Sequence, residues 1–490
     1  MKRTCLSIAF IASAFVLGSA ITATAAERPN VLFVIFDDLN NRLGCYGDQV
    51  AKSPNLDRLA ARGMVFERAY CQQPICNPSR ASFLSGRRPD SLGIWSMTTF
   101  LHDRFPDLPT IPQWFKQHGY TAMSMGKVFH HSRTNKADFH TLSIPDRRTG
   151  GPTKDEIILA DGAALPPNLA TDRLCENRVV PDDACYDAVT ANLAMAELRA
   201  LTKKKEPFFL AIGFFKPHAP YKIPKRYWDL YQREEIPAIE PAARPRNAPD
   251  IAFHANHEIL GEPNNQRTLD EVAQREIRHG YYAAMSFADA QLGRLLDELD
   301  RLKLADNTIV VVIGDNGFHL GEHDTWGKMT LFGWDSRVPL IIAAPRVSKA
   351  GSKTRALSEL IDIYPTLTQL CGLPVPDGLD GMSLVPVLKE PNATVKTAAL
   401  SQHPRPALYW GSQKEPNVMG YSIRTDRWCY NEWRDFKTGR VVEQELYDEK
   451  TDPAETVNLA GTVEAASHIP ALAAQLDAMV KSAKPPKLPP

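Results

Sequence analysis

Three short, uninterrupted apolar runs frame this chain: Val31–Phe36 (VLFVIF), Pro207–Phe215 (PFFLAIGFF) and Thr308–Gly314 (TIVVVIG). Successive side chains of a strand point to opposite faces, so a run that is apolar throughout predicts a strand covered on both sides, as in the parallel sheets of α/β proteins. Helical patterns separate the runs. Leu269–Leu304 carries a stripe of Tyr281, Tyr282, Met285, Phe287, Leu292, Leu295, Leu296 and Leu299, which predicts a long core-facing helix. The alternation of strand and helix predicts a large doubly wound α/β sheet with flanking helices. From about Pro391 the texture changes to short segments ending in an Ala-rich helix, which predicts a small C-terminal α+β subdomain.

The polar residues that stop the runs are the first chemical signal. VLFVIF ends at Asp37-Asp38 and TIVVVIG at Asp315-Asn316. Adjacent strand residues face opposite ways, so such a pair can meet one ligand only where the strand is ending, and open α/β sheets bind ligands at strand carboxyl ends. A lone pair of strand-end aspartates also serves to cap a turn. Two such pairs supply oxygen donors only, which favours Ca²⁺ or Mg²⁺ over zinc or copper.

Between the first two runs lies Cys71–Arg88, CQQPICNPSRASFLSGRR. Pro78 suits the first turn of a helix that Gly86 stops, which puts Cys76 at its N-terminus with Arg80 within reach. Free N–H groups, the helix dipole and a guanidinium there attract a tetrahedral oxyanion. A buried or disulfide-bonded Cys76 is the other reading. Further on, Gly126-Lys127-Val128-Phe129-His130 would place Lys127 and His130 on one face if it forms a helical turn. In Lys216-Pro217-His218-Ala219-Pro220, extended geometry would put Lys216 and His218 on one side.

Charge excludes one class of partner. Lys plus Arg and Asp plus Glu number 57 each, so no global field favours nucleic acid, and an anion must be gripped by a local pocket. Lys2 and Arg3, an apolar run from Leu6 to Leu17 and Ala23-Thr24-Ala25 read as a secretory signal cleaved near Ala25 or Ala26. An exported protein, periplasmic or secreted, with no integral membrane segment after cleavage is expected.

C-x-P-S-R with a Gly-Arg beyond it resembles the signature of the type I sulfatases of the alkaline-phosphatase-like superfamily. The likeness continues through D-N-G, G-E-H and Lys328. GKVFH, KPHAP, SQHPRP and MGYSIRT are similar to the iduronate-2-sulfatase-like branch, and Asn316 stands where many of that branch have His. The resemblance spans Val31–Asn458, and with the leader and the change of texture it divides the chain into a signal peptide over 1–26, a catalytic domain over 27–400 and the subdomain over 401–490. It implies that Cys76 is oxidised to formylglycine by a formylglycine-generating or anaerobic maturation enzyme. Asp37, Asp38, Asp315, Asn316 and the modified Cys76 would bind one Ca²⁺, and a gem-diol hydroxyl would attack a sulfate ester on a sulfated sugar. Arg80 and Lys127 would balance charge on the sulfuryl oxygens. His218 with Lys328 would protonate the leaving alcohol, and His130, held neutral by Lys127, would deprotonate the second hydroxyl to expel sulfate. A phosphodiester or phosphonate ester hydrolase of the same superfamily and an unmodified secreted glycan-binding protein are the alternatives.

Six further cysteines remain after the leader: Cys45, Cys71, Cys175, Cys185, Cys371 and Cys429. Cys175 and Cys185 close a short loop and are the favoured disulfide; the other reading makes all six small buried hydrophobes. The polar stretch 132–192 and the Pro-rich stretch 241–265 read as insertions that wall the site.

Overall fold

The side-chain alternation along one central strand accounts for the layering of the molecule. The structure is a computed structural model describing residues 28–130, 138–139, 141–143, 174–254, 257–260, 269–407 and 415–485. The expected leader and much of both expected insertions lie outside the described residues. The main strands are β1 (Asn30–Asp37), β2 (Met64–Phe66), β3 (Thr121–Gly126), β4 (Thr141–Ser143), β5 (Phe208–Pro217), β6 (Thr308–Gly314), β7 (Leu340–Ala343) and β8 (Ser352–Thr354). The principal helices are α1 (Pro54–Arg62), α2 (Cys76–Ser85), α3 (Ile111–Gln117), α4 (Tyr186–Leu201), α5 (Glu271–Arg301), α6 (Ile363–Leu370) and α7 (Val463–Ser482).

In β1, Leu32, Val34 and Phe36 join a cluster with Leu56 and Leu59 of α1, Ala188 and Ala191 of α4, and Tyr281, Tyr282 and Met285 of α5. Val31, Phe33 and Ile35 join the opposite cluster, with Phe83 and Leu84 of α2 and Ile363, Tyr364 and Leu367 of α6. Helices therefore cover both faces, as the apolar runs predict. The strand order is β8-β2-β7-β6-β1-β5-β3-β4. β1 runs parallel to β5 and β6, and β3 to β5 and β4, while β7 is antiparallel to β6 and β2. The three apolar runs are thus adjacent, and their polar ends meet at one edge.

The C-terminal part is a four-stranded antiparallel sheet of β9 (Ala399–Arg405), β10 (Val418–Arg424), β11 (Trp428–Asp435) and β12 (Val441–Asp448). Leu472 and Leu476 of α7 pack against its Ile423, Tyr430 and Leu446. Its first strand reaches the segment that precedes Cys76: Gln402 N donates to Gln72 O at 2.8 Å and Ser401 Oγ to Cys71 O at 2.6 Å. Among the described residues no helix is long and apolar enough to cross a membrane.

Three local expectations are corrected. Cys175 and Cys185 are not joined; each carries a thiol. Cys175 Sγ turns onto α5, 3.6 Å from Glu276 O, whereas Cys185 precedes α4 and is packed in the core. Residues 127–130 form a bend rather than a helical turn, because Gly126 leaves β3 at φ 71°. Lys216 does not stand beside His218 facing a ligand: its Nζ donates back to His218 O (3.1 Å) and Pro220 O (2.8 Å), bracing its own loop.

Candidate active site

The ends of β1 and β6 and the start of α2 converge. Asp37 is the last residue of β1 and Asp38 follows it with φ 62°, the turn that lets both carboxylates reach one side. The backbone of this turn is held by a residue that sequence reasoning placed only in the core. Tyr281 Oη donates to Asp38 O at 2.7 Å and accepts from Asn40 N at 2.9 Å. Nothing in the helical stripe of α5 separates Tyr281 from its purely apolar neighbours.

Asp37, Asp38 and Asp315 are fully buried and offer carboxylate oxygens that all lie within 4.8 Å of one another. Asn316 Nδ2 donates to Asp38 Oδ1 at 2.8 Å, while its Oδ1 is buried with no hydrogen-bond partner. Burial pushes the Asp315 carboxyl up to about 6, with Arg80 opposing and Asp37 and Asp38 adding to the rise. Burial also opposes charge on Asp37, but Lys127, His218, Arg80 and Lys328 hold its carboxyl well below the usual range. An orphaned amide oxygen beside three buried carboxylates is the donor set of a hard cation. These residues fit calcium or magnesium.

Cys76 opens α2, a helix buried along its whole length, after an extended Ile75. Its Sγ donates to Asp37 Oδ1 at 3.2 Å and lies 3.4 Å from Lys328 Nζ, which also donates to Asp38 Oδ1 at 2.7 Å. Burial, and after it the charge of Asp37, pushes this thiol well above its ordinary range despite Lys127 and Lys328. As a thiol, Cys76 is a poor nucleophile here.

Arg80, one turn along, is fully engaged. Nε donates to Asp315 Oδ2 (2.8 Å), Nη2 to Asp37 Oδ1 (3.4 Å), and Nη1 to the carbonyls of Lys127 and Val128. Lys127 Nζ pairs with Asp37 Oδ2. Burial works against that ammonium, but Asp37 more than offsets it and raises its pKa. His218 Nδ1 bonds Ala219 O, and its Nε2 is 3.8 Å from Asp38 Oδ2. His130 is buried beyond Val128. The structure therefore brings Cys76, Asp37, Asp38, Arg80, Lys127, His218, Asp315, Asn316 and Lys328 into one network, with His130 buried at the end of the same bend.

The anchor for Arg80 depends on Gly213 of β5. A Cβ there would sit 1.8 Å from the Lys127 carbonyl oxygen, so only glycine lets the bend lie against the sheet. Gly213→Ala should lower stability by about 3 kcal/mol or more through overpacking and displace Lys127. Thermal melting checks this, and an unchanged melting temperature would refute it.

The chain is similar to known proteins along most of its length. The family model described as Sulfatase matches residues 29–373, and that described as N-sulphoglucosamine sulphohydrolase, C-terminal, matches residues 321–482. The chain is 33% identical to iduronate 2-sulfatase of Mus musculus, over 89% of this chain and 91% of that protein. It is 30% identical to a sulfatase of Formosa agariphila, over 92% of this chain and 86% of that protein. Among solved structures, a protein in complex with its substrate D-glucosamine-2-N,6-O-disulfate superimposes with a TM-score of 0.74 at 24% identity, covering 93% and 98% of the two chains. The phosphonate monoester hydrolase of Agrobacterium radiobacter follows at 0.73 and 21%, covering 93% and 96%. At those identities the structural likeness is one of fold.

Proposed function

The chain belongs to the sulfatase family and is a sulfuric ester hydrolase, and from that premise we propose that it removes sulfate from sulfated sugars, using a formylglycine made from Cys76 and one Ca²⁺. Uronic acids sulfated at the 2-hydroxyl rank first as substrates, on the 33% identity to iduronate 2-sulfatase and on GKVFH, KPHAP, SQHPRP and MGYSIRT. The observation that carries the reading is the place of Cys76: at the N-terminus of a buried helix, between Asp37 and Lys328, and with its own thiol held protonated. A side chain so placed serves a nucleophile only after its sulfur is replaced.

Asp37, Asp38, Asp315 and Asn316, with the modified residue 76, would hold the calcium ion. When present, the ion supplies charge for the sulfate oxygens and the hydrated aldehyde supplies the attacking hydroxyl. The chain's own groups do the rest. Arg80 and Lys127 orient Asp37 and Asp315 and keep positive charge beside the anion. Lys328, bridging Asp38 and Cys76, steadies the reacting end of residue 76. His218 donates from Nδ1 to the Ala219 carbonyl, which leaves Nε2 as the atom that gives a proton to the departing alcohol. His130 takes the base role that its family motif implies. Export after cleavage near Ala25 or Ala26, and maturation by a formylglycine-generating or anaerobic enzyme, complete the proposal.

Three measurements test it. Mass analysis of the Cys76 peptide from the exported protein should find the aldehyde, and an unmodified thiol in active protein would refute it. Sulfate release from a panel of defined sulfated mono- and oligosaccharides should be fastest for 2-O-sulfated uronic acids. For the proton, His218→Ala should slow a sugar sulfate by roughly 10²–10⁴ and an aryl sulfate, whose phenolate leaves unaided, far less. Equal losses on both substrates would remove His218 from the acid role.

A further inference from the structure

A second group of arginines, outside the network around Cys76, lines a cavity of about 280 Å³ where the main domain meets the C-terminal sheet. Arg68 and Arg424 lie in its wall, 4% and 3% exposed. Their charges are answered within the protein. Arg68 Nη2 pairs with Glu449 at 2.9 Å, and Arg424 Nη2 pairs with Glu455 at 2.8 Å while its Nη1 also meets Glu449. Gly333 N donates to Glu455 Oε2 at 2.7 Å, so each carboxylate is answered by groups within the protein.

What is left over is cationic. Arg337 and Arg355 also line the cavity, and neither takes part in an ion pair among the described residues, against Glu67 as the one remaining carboxylate. Arg424 Nε and Arg337 Nε are buried N–H groups with no hydrogen-bond partner. Arg337 and Arg355, half-buried and exposed respectively, present guanidinium forks, which match a tetrahedral oxyanion such as sulfate. The cavity is also near the chemistry. Asn41 lines it and follows Asp38 by three peptide steps, which limits their Cα separation to about 11 Å.

We infer that this cavity is a second anion subsite, which holds a sulfate group on a neighbouring sugar while another sugar of the same glycan lies at Cys76. The inference rests on the proposed action on sulfated sugars and adds a reason for the enzyme to prefer multiply sulfated chains. Arg337 and Arg355 are its ligands. The Arg68–Glu449–Arg424–Glu455 cluster is its rigid wall.

The test compares binding in a Cys76→Ala background, where nothing turns over. A fluorescently labelled, fully sulfated heparin hexasaccharide should bind about tenfold more weakly when Arg337→Ala and Arg355→Ala are combined, as expected for two partly exposed charge contacts. Arg337→Lys with Arg355→Lys should retain most of the affinity, and a monosulfated monosaccharide should bind all of these proteins alike. With Cys76 intact, the double alanine variant should hydrolyse an aryl sulfate at the wild-type rate. Unchanged hexasaccharide affinity, or an equal loss for the monosaccharide, overturns the subsite. Inorganic sulfate is the free-anion arm: tighter binding of it than of the hexasaccharide at these arginines would make the cavity a free-anion site and overturn the glycan assignment. If the wild-type protein releases sulfate from no sugar while the arginine-dependent binding persists, the proposed activity fails and the subsite stands.

Discussion

Replacing Cys76 by alanine is expected to reduce sulfate release by roughly 10³–10⁶, to the background that binding and charge alone provide, equivalent to about 4–8 kcal/mol of transition-state stabilisation. The loss follows from position as much as from chemistry. No other side chain in the network has a nucleophilic atom at the start of α2, where Asp37 and Lys328 both reach it. The fold should survive, because the substitution removes one sulfur from a small cluster with Ile75, Met97 and Met329, a change of about 1 kcal/mol. Circular dichroism and melting establish that point, and turnover is measured on a sugar sulfate and an aryl sulfate alike. Cys76→Ser should be nearly as inactive if the serine stays a hydroxyl, since a lone alcohol cannot regenerate a carbonyl. Wild-type turnover in folded Cys76→Ala would sink the mechanism.

Asp315→Ala is expected to abolish both bound metal and activity, with added Ca²⁺ unable to restore either. Asp315 supplies carboxylate oxygens to the buried group of three and holds Arg80 Nε at 2.8 Å, so its loss also leaves a buried guanidinium half-paired. Breaking a buried ion pair lowers stability by about 3–5 kcal/mol, so the variant's melting must be followed beside its metal content. Asn316→Ala separates the two effects. It deletes an orphaned oxygen and the Nδ2 bond to Asp38 without changing any charge, and should lower metal occupancy while the protein remains folded. Elemental analysis of purified wild-type protein gives the reference of one calcium per chain. Stoichiometric zinc with no calcium or magnesium in active protein, or a full equivalent of calcium retained by Asp315→Ala, would refute the assignment.

Most of the network was legible because its members sit where regular structure stops. Asp37, Asp315 and His218 end apolar runs, and Cys76 begins a helix marked by Pro78 and closed by Gly86. Boundaries of that kind depend on local pattern and are read from a few neighbouring residues. Expectations that depended on side-chain direction fared worse. Lys216 curls onto its own loop, residues 127–130 make a bend instead of a helical turn, and Cys175 and Cys185 point into different neighbours. The carbonyls of its own loop settled the direction of Lys216, a glycine at positive φ settled the bend, and a carbonyl far away in the sequence settled Cys175.

The sequence by itself determined the class of fold, the three buried parallel strands and the residues offered at their ends, because apolar period and helix punctuation are local properties of the chain. Only the tertiary structure decided how those residues pair. Arg80 is turned onto Asp315 and two carbonyls, Lys328 is shared between Asp38 and Cys76, and Tyr281 fixes the Asp38 turn from a helix more than two hundred residues away. The arginine-lined cavity belongs to the same category, since Arg68, Arg337 and Arg355 are scattered along the chain and Arg424 joins them only when the C-terminal sheet docks. Burial is the physical reason: within a low-dielectric interior each charge must find a partner, and which partner is nearest is a property of packing, not of sequence distance.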